Sequence, residues 1–368
     1  MSDDSPLAIA LDATLWDEPT TGIGLYTRFL AAALERRGVE VRRLGARHSG
    51  EAPRGNLGRT AYAVGQLPRV LAQRDEPLFH AVCNFNLPLT RVRGKRLVLT
   101  VHDIIPDLLP ETVSRAYRMQ FRVWLSRSLK VADRVICDSQ RTRRDLLSRF
   151  EVEEDKVVAV HLGADHVDTI PRPDAAGEAY LRSLGLPEHY VLYAGALDAR
   201  KNVALILDAL ERLRARGRPT TLVLVGQSWY GSEAVEQRIA RMRAAGFDLR
   251  PLGYQSSPIF YELIRRAAVF VFPSRYEGFG LPPLEAMRLG VPTVVSTAGS
   301  LPEVCGEAAV AVHPDSPAEL ATVIDQLLRS PEERTRRGEL GRRHAARFTW
   351  DATAKATLDV YKSALDLD

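Results

Sequence analysis

The sequence predicts an α/β protein made of two doubly wound parallel-sheet domains facing a central cleft. Three observations carry that prediction. The chain has 368 residues, enough for two domains of ordinary size. It opens on a strand, a glycine-bearing loop, a helix and a second strand between Leu7 and Arg43. Beyond a proline-rich polar stretch, Ile170 to Gly177, the same alternation restarts after Pro187. The expected division is 1–169 for the first domain, 170–178 for a linker, 179–348 for the second domain and 349–368 for a terminal helix.

In the first domain, Leu7–Leu11 is a strand and Thr20-Thr21-Gly22-Ile23-Gly24 a loop; helical periodicity follows from Leu25 to Arg37 and stops at Gly38. Thr27 stands where a dinucleotide fingerprint has its third glycine, so no nicotinamide or flavin enzyme is indicated. Val39–Arg43 is a strand, Arg59–Leu71 a helix and Leu78–Val82 a short strand. Arg96–Val101 is a strand with His102 at its carboxyl end, where open α/β sheets gather ligands. Val135–Cys137 leads to Asp138-Ser139, with Ser139 able to cap a helix from Gln140 to Phe150. Lys156–His161 completes the sheet.

In the second domain, Tyr190–Tyr193 is a strand and Gly195–Asn202 a loop carrying Arg200-Lys201. The helix Val203–Gly217, the strand Thr221–Val225 and the helix Glu233–Ala245 follow. Arg250–Tyr254 is a short strand and turn, and Ile259–Ala267 a helix. Pro292–Ser296 and Ala308–Val312 are strands with a short helix near Pro302–Val304 between them. Pro317–Leu328 and the amphipathic Trp350–Ala364 are helices.

Composition is that of a globular chain, 45% hydrophobic and 26% charged, and no apolar run reaches membrane-span length. The opening Met1–Pro6 lacks the basic start and apolar core of a signal peptide, so a cytoplasmic location is expected. Cys83, Cys137 and Cys305 have neither metal nor disulfide spacing and read as buried small hydrophobes. Net charge is only +4, yet ten Lys or Arg stand against three Asp between Arg115 and Arg149. There Tyr117, Phe121, Trp124, Leu125 and Leu129 form an apolar stripe with Arg115, Arg118 and Arg122 on the remaining surface. A solvated helix face explains this; so does an anionic membrane surface met by Arg115–Lys130, on the inner face of the membrane. No nucleic-acid motif accompanies the charge, and no nucleic-acid partner is expected.

The chemistry concentrates in Phe272–Met287. The apolar run Val269–Phe272 ends at Pro273, a loop with two glycines follows, and Pro282-Pro283 opens a helix. Glu277 lies in the loop and Glu285 in the expected first helical turn. Glycines let backbone amides approach a ligand and a helix N-terminus favours an anion, so the stretch reads as a seat for phosphate; the alternative is that Glu285 only complements the helix dipole and Glu277 is only solvated. Arg200-Lys201 would add a planar donor fork and a point charge for a diphosphate. Such cations can neutralise a diphosphate leaving group without a divalent ion, and no Asp-x-Asp pair stands where a metal clamp is expected.

These segments resemble the family-four retaining glycosyltransferases of the GT-B architecture, with two Rossmann-like domains, and the likeness runs from Leu7 to Tyr361. Glu277–Glu285 resembles the family's paired-glutamate motif and Tyr193–Asn202 its diphosphate loop. Gly22-Ile23-Gly24 resembles the first-domain glycine loop, Val101-His102-Asp103 the strand-end histidine, and Leu162–Asp165 the segment before the linker. Trp350 begins a helix like the one that crosses back to the first domain. The resemblance implies a nucleotide diphosphate sugar donor, no cofactor and no metal. Glu285 would hold the donor ribose and Glu277 the transferred sugar. Gly278, Phe279, Gly280 and Leu281 would cradle sugar and phosphate, while Arg200 and Lys201 bind the diphosphate. Gly253 and Tyr254 would lie near the base, His102 near the transferred sugar, and Gly24 near the phosphate or acceptor. Transfer would retain configuration by front-face attack. Ala196 stands where many relatives carry arginine, a variant that resembles bacterial mannosyl- and rhamnosyl-type transferases of surface polysaccharide assembly. That implies GDP-mannose as donor and a glycan or lipid-linked glycan as acceptor. A nucleotide-sugar epimerase on the same fold and a non-catalytic sugar-nucleotide-binding module remain the alternatives; a pyridoxal phosphate phosphorylase would need a much longer chain.

Overall fold

A computed structural model describes residues 6–17, 22–45, 61–228 and 231–367. Met1–Ser5, Thr20, Thr21 and the start of the expected Arg59–Leu71 helix lie outside the described residues. The chain packs as two units, Met1–Gly163 with Thr349–Asp368, and Ala164–Phe348.

In the first unit six strands form one parallel sheet: β1 (Ala8–Asp12), β2 (Glu40–Leu44), β3 (Leu78–Ala81), β4 (Arg96–Val101), β5 (Arg134–Cys137) and β6 (Val157–Ala159). Their order is β2-β1-β3-β4-β5-β6. Helices α1 (Gly22–Arg36), α2 (Leu67–Ala72), α3 (Ile105–Leu108), α4 (Arg115–Val131) and α5 (Gln140–Arg149) connect them, with a π-helical turn, Tyr62–Gln66, ahead of α2. Central β3 and β4 are almost continuously apolar and buried, because a parallel sheet with right-handed crossovers is covered on both faces. Edge strand β2 instead exposes Glu40 and Arg43, charges that discourage further pairing.

Three details depart from the sequence reading. Gly22 and Gly24 are not loop residues: α1 already begins at Gly22, and neither glycine takes left-handed backbone. Arg118 and Arg122 are not simply a wet face, because both reach the buried carboxylate of Asp107, Arg118 at 3.5 Å. Cys83 is half-buried, whereas Cys137 and Cys305 are buried. The cap on α5 is as expected, Ser139 Oγ accepting from the Thr142 amide at 3.0 Å.

The second unit repeats the plan with β7 (Val191–Ala194), β8 (Leu222–Val225), β9 (Leu249–Gly253), β10 (Val269–Phe272), β11 (Thr293–Ser296) and β12 (Val310–Val312). The order is β12-β11-β10-β7-β8-β9, all parallel. Its helices are α6 (Ala175–Ser183), α7 (Val203–Ala215), α8 (Glu233–Ala244), α9 (Ser257–Arg266), α10 (Leu281–Arg288), α11 (Leu301–Cys305), α12 (Pro317–Arg329) and α13 (Pro331–Ala345). The expected linker 170–178 is partly α6, whose first turn Asp174 caps by accepting from the Gly177 amide at 2.8 Å. The units divide at Gly163, six residues before the expected boundary at 169, because the 3₁₀ turn Asp165–Asp168 packs into the second unit.

Helix α13 was invisible to hydrophobic periodicity because glycines make its contact. A Cβ on Gly338 would stand 2.3 Å from the Gly290 carbonyl oxygen, and one on Gly341 3.3 Å from Met287. The last helix, α14 (Trp350–Leu365), belongs to the first unit and packs on α1, as the crossing-back helix was expected to. Trp350 is 1% exposed and stacks on Phe29 at 5.6 Å. Gly163 has no room for a side chain, since its Cβ would stand 2.2 Å from the Trp350 amide nitrogen. Among the described residues no helix is long and apolar enough to cross a membrane.

Candidate active site

Adjacent strands β7 and β10 mark the place where strand order reverses in the second sheet. Loops leaving the carboxyl ends of two such strands diverge and open a crevice. The β7 loop carries Arg200-Lys201 and the β10 loop carries Glu277, so topology alone brings the expected cations and carboxylate together.

Local chemistry then fixes both loops. Asp198 Oδ1 accepts from the Lys201 amide at 2.9 Å and caps the 3₁₀ turn Ala199–Lys201. Asn202 takes left-handed backbone, φ 58°, and its Nδ2 donates to the carbonyls of Pro273 at 3.2 Å and Pro314 at 2.8 Å. Asparagine tolerates that conformation better than other side chains, and here its amide also ties the β7 loop to the β10 loop. The Arg275 amide donates to the Arg200 carbonyl at 2.8 Å, a second tie.

Glu277 Oε1 accepts from Arg200 Nη1 at 2.9 Å and from Lys201 Nζ at 2.8 Å. Arg200 Nη1 also donates to the Tyr276 carbonyl at 3.1 Å, and the Lys201 ammonium lies 4.7 Å from the Phe272 ring centre. Burial raises the Glu277 carboxyl, but the Arg200 and Lys201 charges outweigh it and hold the group below the usual carboxylate range. Burial also lowers Lys201, and the attraction of Glu277 offsets that only in part. The loop beyond is held from behind. Ser300 donates through its amide at 3.1 Å and its hydroxyl at 3.0 Å to the Glu277 carbonyl, and through the hydroxyl at 2.7 Å to the Phe279 carbonyl. Gly280 takes φ 99°, which a side chain would strain. Gly278 and Phe279 are buried and Leu281 is the first residue of α10.

Glu285 is not in the first turn of α10 as expected but in the second, and it is 4% exposed. Its Oε1 accepts from Tyr261 Oη at 3.0 Å and from His166 Nε2 at 2.9 Å. Sequence reasoning missed both partners. Tyr261 lies on the apolar stripe of α9 and reads as core; His166 follows Leu162–Asp165 directly but has no periodicity to single it out. Ser300 and Asn202 were missed for the same reason, because their work is done on carbonyls distant in sequence. Gly253 ends β9 with φ 67°, and Tyr254 beside it is 52% exposed.

His102 and Gly24 belong to the first unit. Gly24 is buried within α1. His102 Nδ1 lies 2.7 Å from Asp138 Oδ2 and Nε2 lies 2.9 Å from the Val82 carbonyl oxygen. Both partners accept only, so a ring protonated on both nitrogens satisfies them best. Burial pulls the imidazole down, yet the charge and hydrogen bond of Asp138 outweigh it and hold the group above the usual 6.5. Both ring nitrogens are engaged, so the ring offers positive charge rather than a basic lone pair. Among the described residues no group of three or more His, Cys, Asp or Glu side chains is placed to hold a metal ion.

Comparison with known proteins identifies the family of the chain. The model described as Glycosyltransferase Family 4 matches residues 20–167, and Glycosyl transferases group 1 matches residues 181–344. The chain is 33% identical over 281 residues to O-antigen chain mannosyltransferase B of Escherichia coli, covering 76% of this chain and 72% of that one. It is 32% identical over 254 residues to D-inositol 3-phosphate glycosyltransferase of Streptomyces scabiei, covering 64% of this chain and 55% of that one. In fold it is similar to Anabaena HepE, solved in complex with UDP and glucose, with TM-score 0.75, 19% identity and coverage of 97% and 100%. Matched by family models in both halves and by a relative at 33% identity, this chain belongs to the family-four glycosyltransferases, retaining hexosyltransferases of the GT-B fold.

Proposed function

We propose that the chain transfers mannose from GDP-mannose, with retention, to a glycan or lipid-linked glycan acceptor in cell-surface polysaccharide synthesis. The observation that carries this reading is the convergence of Arg200 and Lys201 on Glu277 at the strand-order reversal, with Glu285 fixed eight residues on. In this reading the two cations meet charge growing on the leaving diphosphate, and the N-terminus of α10 adds its dipole, so no divalent ion is needed. Glu277 aligns the cations and takes hydroxyls of the transferred sugar, and Glu285 takes ribose hydroxyls through the oxygen that Tyr261 and His166 leave to it. The E. coli relative is named for a mannosyl activity on O-antigen, which favours mannose; the UDP and glucose of the Anabaena protein mark the competing donor.

A thermal-shift screen of GDP-mannose, UDP-glucose and other nucleotide sugars tests the reading, since a ligand that binds only the folded state raises the melting temperature. GDP-mannose is expected to stabilise most, and a larger shift with a uridine sugar would replace the donor. Product analysis separates transfer from epimerisation, which would release an altered nucleotide sugar without an acceptor. Turnover is expected to survive EDTA.

The lipid-linked acceptor gains support from α4. Met119 is 64% and Val123 56% exposed, one turn apart, with Arg115, Arg127 and Lys130 also exposed. The helix carries no acidic residue. An apolar pair among cations suits the surface of an anionic bilayer. Met119→Asp with Val123→Asp is expected to release the protein from phosphatidylglycerol vesicles at low salt; retention unchanged by the pair would exclude this face.

A further inference from the structure

The outer side of α13, in the second unit, bounds an open concavity of about 780 Å³ that the transfer site does not use. Arg336, Arg337, Arg343, Arg347 and His344 line it, with Glu307. Arg336 and Arg337 share the carboxylate of Glu333, at 2.6 and 3.0 Å. Arg343 and Arg347 have no carboxylate partner among the described residues. Arg347 is nevertheless aimed. His344 Nε2–H donates to the Val304 carbonyl at 2.7 Å, which leaves Nδ1 as an acceptor, and Arg347 Nη2 donates to it at 2.7 Å. Burial, together with the Arg347 charge, holds His344 below its usual 6.5 despite that carbonyl, so a neutral ring supports the guanidinium at pH 7.

Four guanidinium groups line one concavity against a single lining carboxylate, Glu307, and two of them have no carboxylate partner among the described residues, an excess of positive charge that favours an anion. Their planar forks suit phosphate oxygens, and the volume suits a small molecule or a headgroup rather than a polymer.

His344 is linked to the donor loop through intermediate residues by two routes. Val304 lies on α11, and Ser300, at the N-cap of that five-residue helix, holds the Glu277 and Phe279 carbonyls. The His344 ring is 5.5 Å from the Phe348 ring, which meets the Phe279 ring edge-on at 6.2 Å. We infer that the α13 concavity binds a phosphate-bearing anion, and that its occupancy is felt at the Glu277–Glu285 loop.

Inorganic pyrophosphate is the probe, titrated calorimetrically against full-length Lys201→Ala so that the diphosphate seat of the transfer site is disabled. Binding is expected to persist there and to weaken roughly tenfold or more when Arg343→Ala and Arg347→Ala are added. If that combination does not fold, Arg343→Ala alone, at an exposed residue, is expected to weaken binding about fivefold. Vesicles of phosphatidylglycerol and of phosphatidylcholine separate the sources. Retention on the first that is lost with Arg343→Ala/Arg347→Ala, but not with Met119→Asp/Val123→Asp, assigns a lipid headgroup; pyrophosphate binding alone assigns a soluble phosphate. Absence of both, or binding indifferent to the arginine substitutions, overturns the site. Coupling is read as the change in GDP affinity of the otherwise unaltered protein at saturating pyrophosphate, compared with Arg343→Ala/Arg347→Ala, whose donor site is intact. An equal change in both removes the coupling. The first arm contains no sugar donor, so its failure is distinct from failure of the proposed transfer reaction.

Discussion

A carboxylate buried as deeply as Glu285 is stable only where donors meet it, and Tyr261 and His166 meet the same oxygen. Tyr261→Phe removes one hydrogen bond and keeps the packing. It is expected to raise the donor KM roughly fivefold, the equivalent of about 1 kcal/mol, with little change in kcat. An unchanged KM would show that Tyr261 only fills space. His102 makes a complementary case. Its folded value lies above 6.5, so its pairing with Asp138 contributes stability that is fully present below pH 6.5 and is lost as pH rises through the raised value. Asp138→Asn should bring the His102 titration, followed by NMR, below that of the unaltered protein; an unmoved midpoint would dissociate the charge from Asp138. Glu277 has the opposite sign. Its depressed value means that its contribution is present above 4.5 and is lost as pH falls through the folded value. Glu277→Gln is therefore expected to flatten the acid limb of the melting-temperature profile, which urea or thermal melts between pH 3 and 6 would record. Glu277 was legible beside its glycine, Arg200 and Lys201 in the loop after a strand, and Glu285 in the helix that Pro282-Pro283 opens, eight residues beyond Glu277. Tyr261, His166 and Ser300 were not, because their role exists only once distant segments meet.

Strands followed from short apolar runs and amphipathic helices from period-3.6 patterns, and most ends moved by a residue or two, although α1 begins three residues before the expected Leu25. α13 did not follow, and the reason is physical: a helix that packs through glycine hides its contact face from any hydrophobicity pattern. Gly338 is the test of that contact. An alanine there must displace the Gly290 carbonyl, since its Cβ would lie 2.3 Å from the oxygen. Gly338→Ala would gain about 1 kcal/mol of helix propensity on an open surface. Here it is expected to lose about 1–3 kcal/mol instead, measured by chemical denaturation. A stabilised variant would mean that α13 can move off α10 without cost. The linker reading failed for a related reason. Proline and small polar residues signal a break in pattern, yet Asp174 is a helix cap and α6 follows at once.

At the scale of the molecule, the doubly wound plan of both sheets was legible from alternation alone, while the boundary at Gly163 was not. Gly163 is decided by a residue nearly two hundred positions later, whose amide occupies the space a side chain would need. Trp350 on α14 completes the first unit through Phe29 and Tyr26, and Tyr361 reaches His80 Nδ1 at 2.7 Å. A chain ending at Phe348 is therefore expected to lose cooperative melting of the first unit while residues 164–348 keep theirs. Limited proteolysis read by mass spectrometry would show cleavage concentrated before residue 164; protection throughout would make α14 dispensable.

The discontinuity of the first unit has a consequence for biosynthesis. The chain leaves that unit at Gly163 and returns to it at Thr349, so the second unit is an insertion whose two ends meet, the Ala164 amide donating to the Phe348 carbonyl at 3.1 Å. A ribosome emits the whole insertion before it emits Trp350. At ordinary elongation rates the first sheet waits roughly ten to forty seconds with the seat of that tryptophan open, while the later segment is free to finish. Chains ending at Phe348 and released from the ribosome should thus hold a folded insert beside an unfinished host, the reverse of their order in the gene.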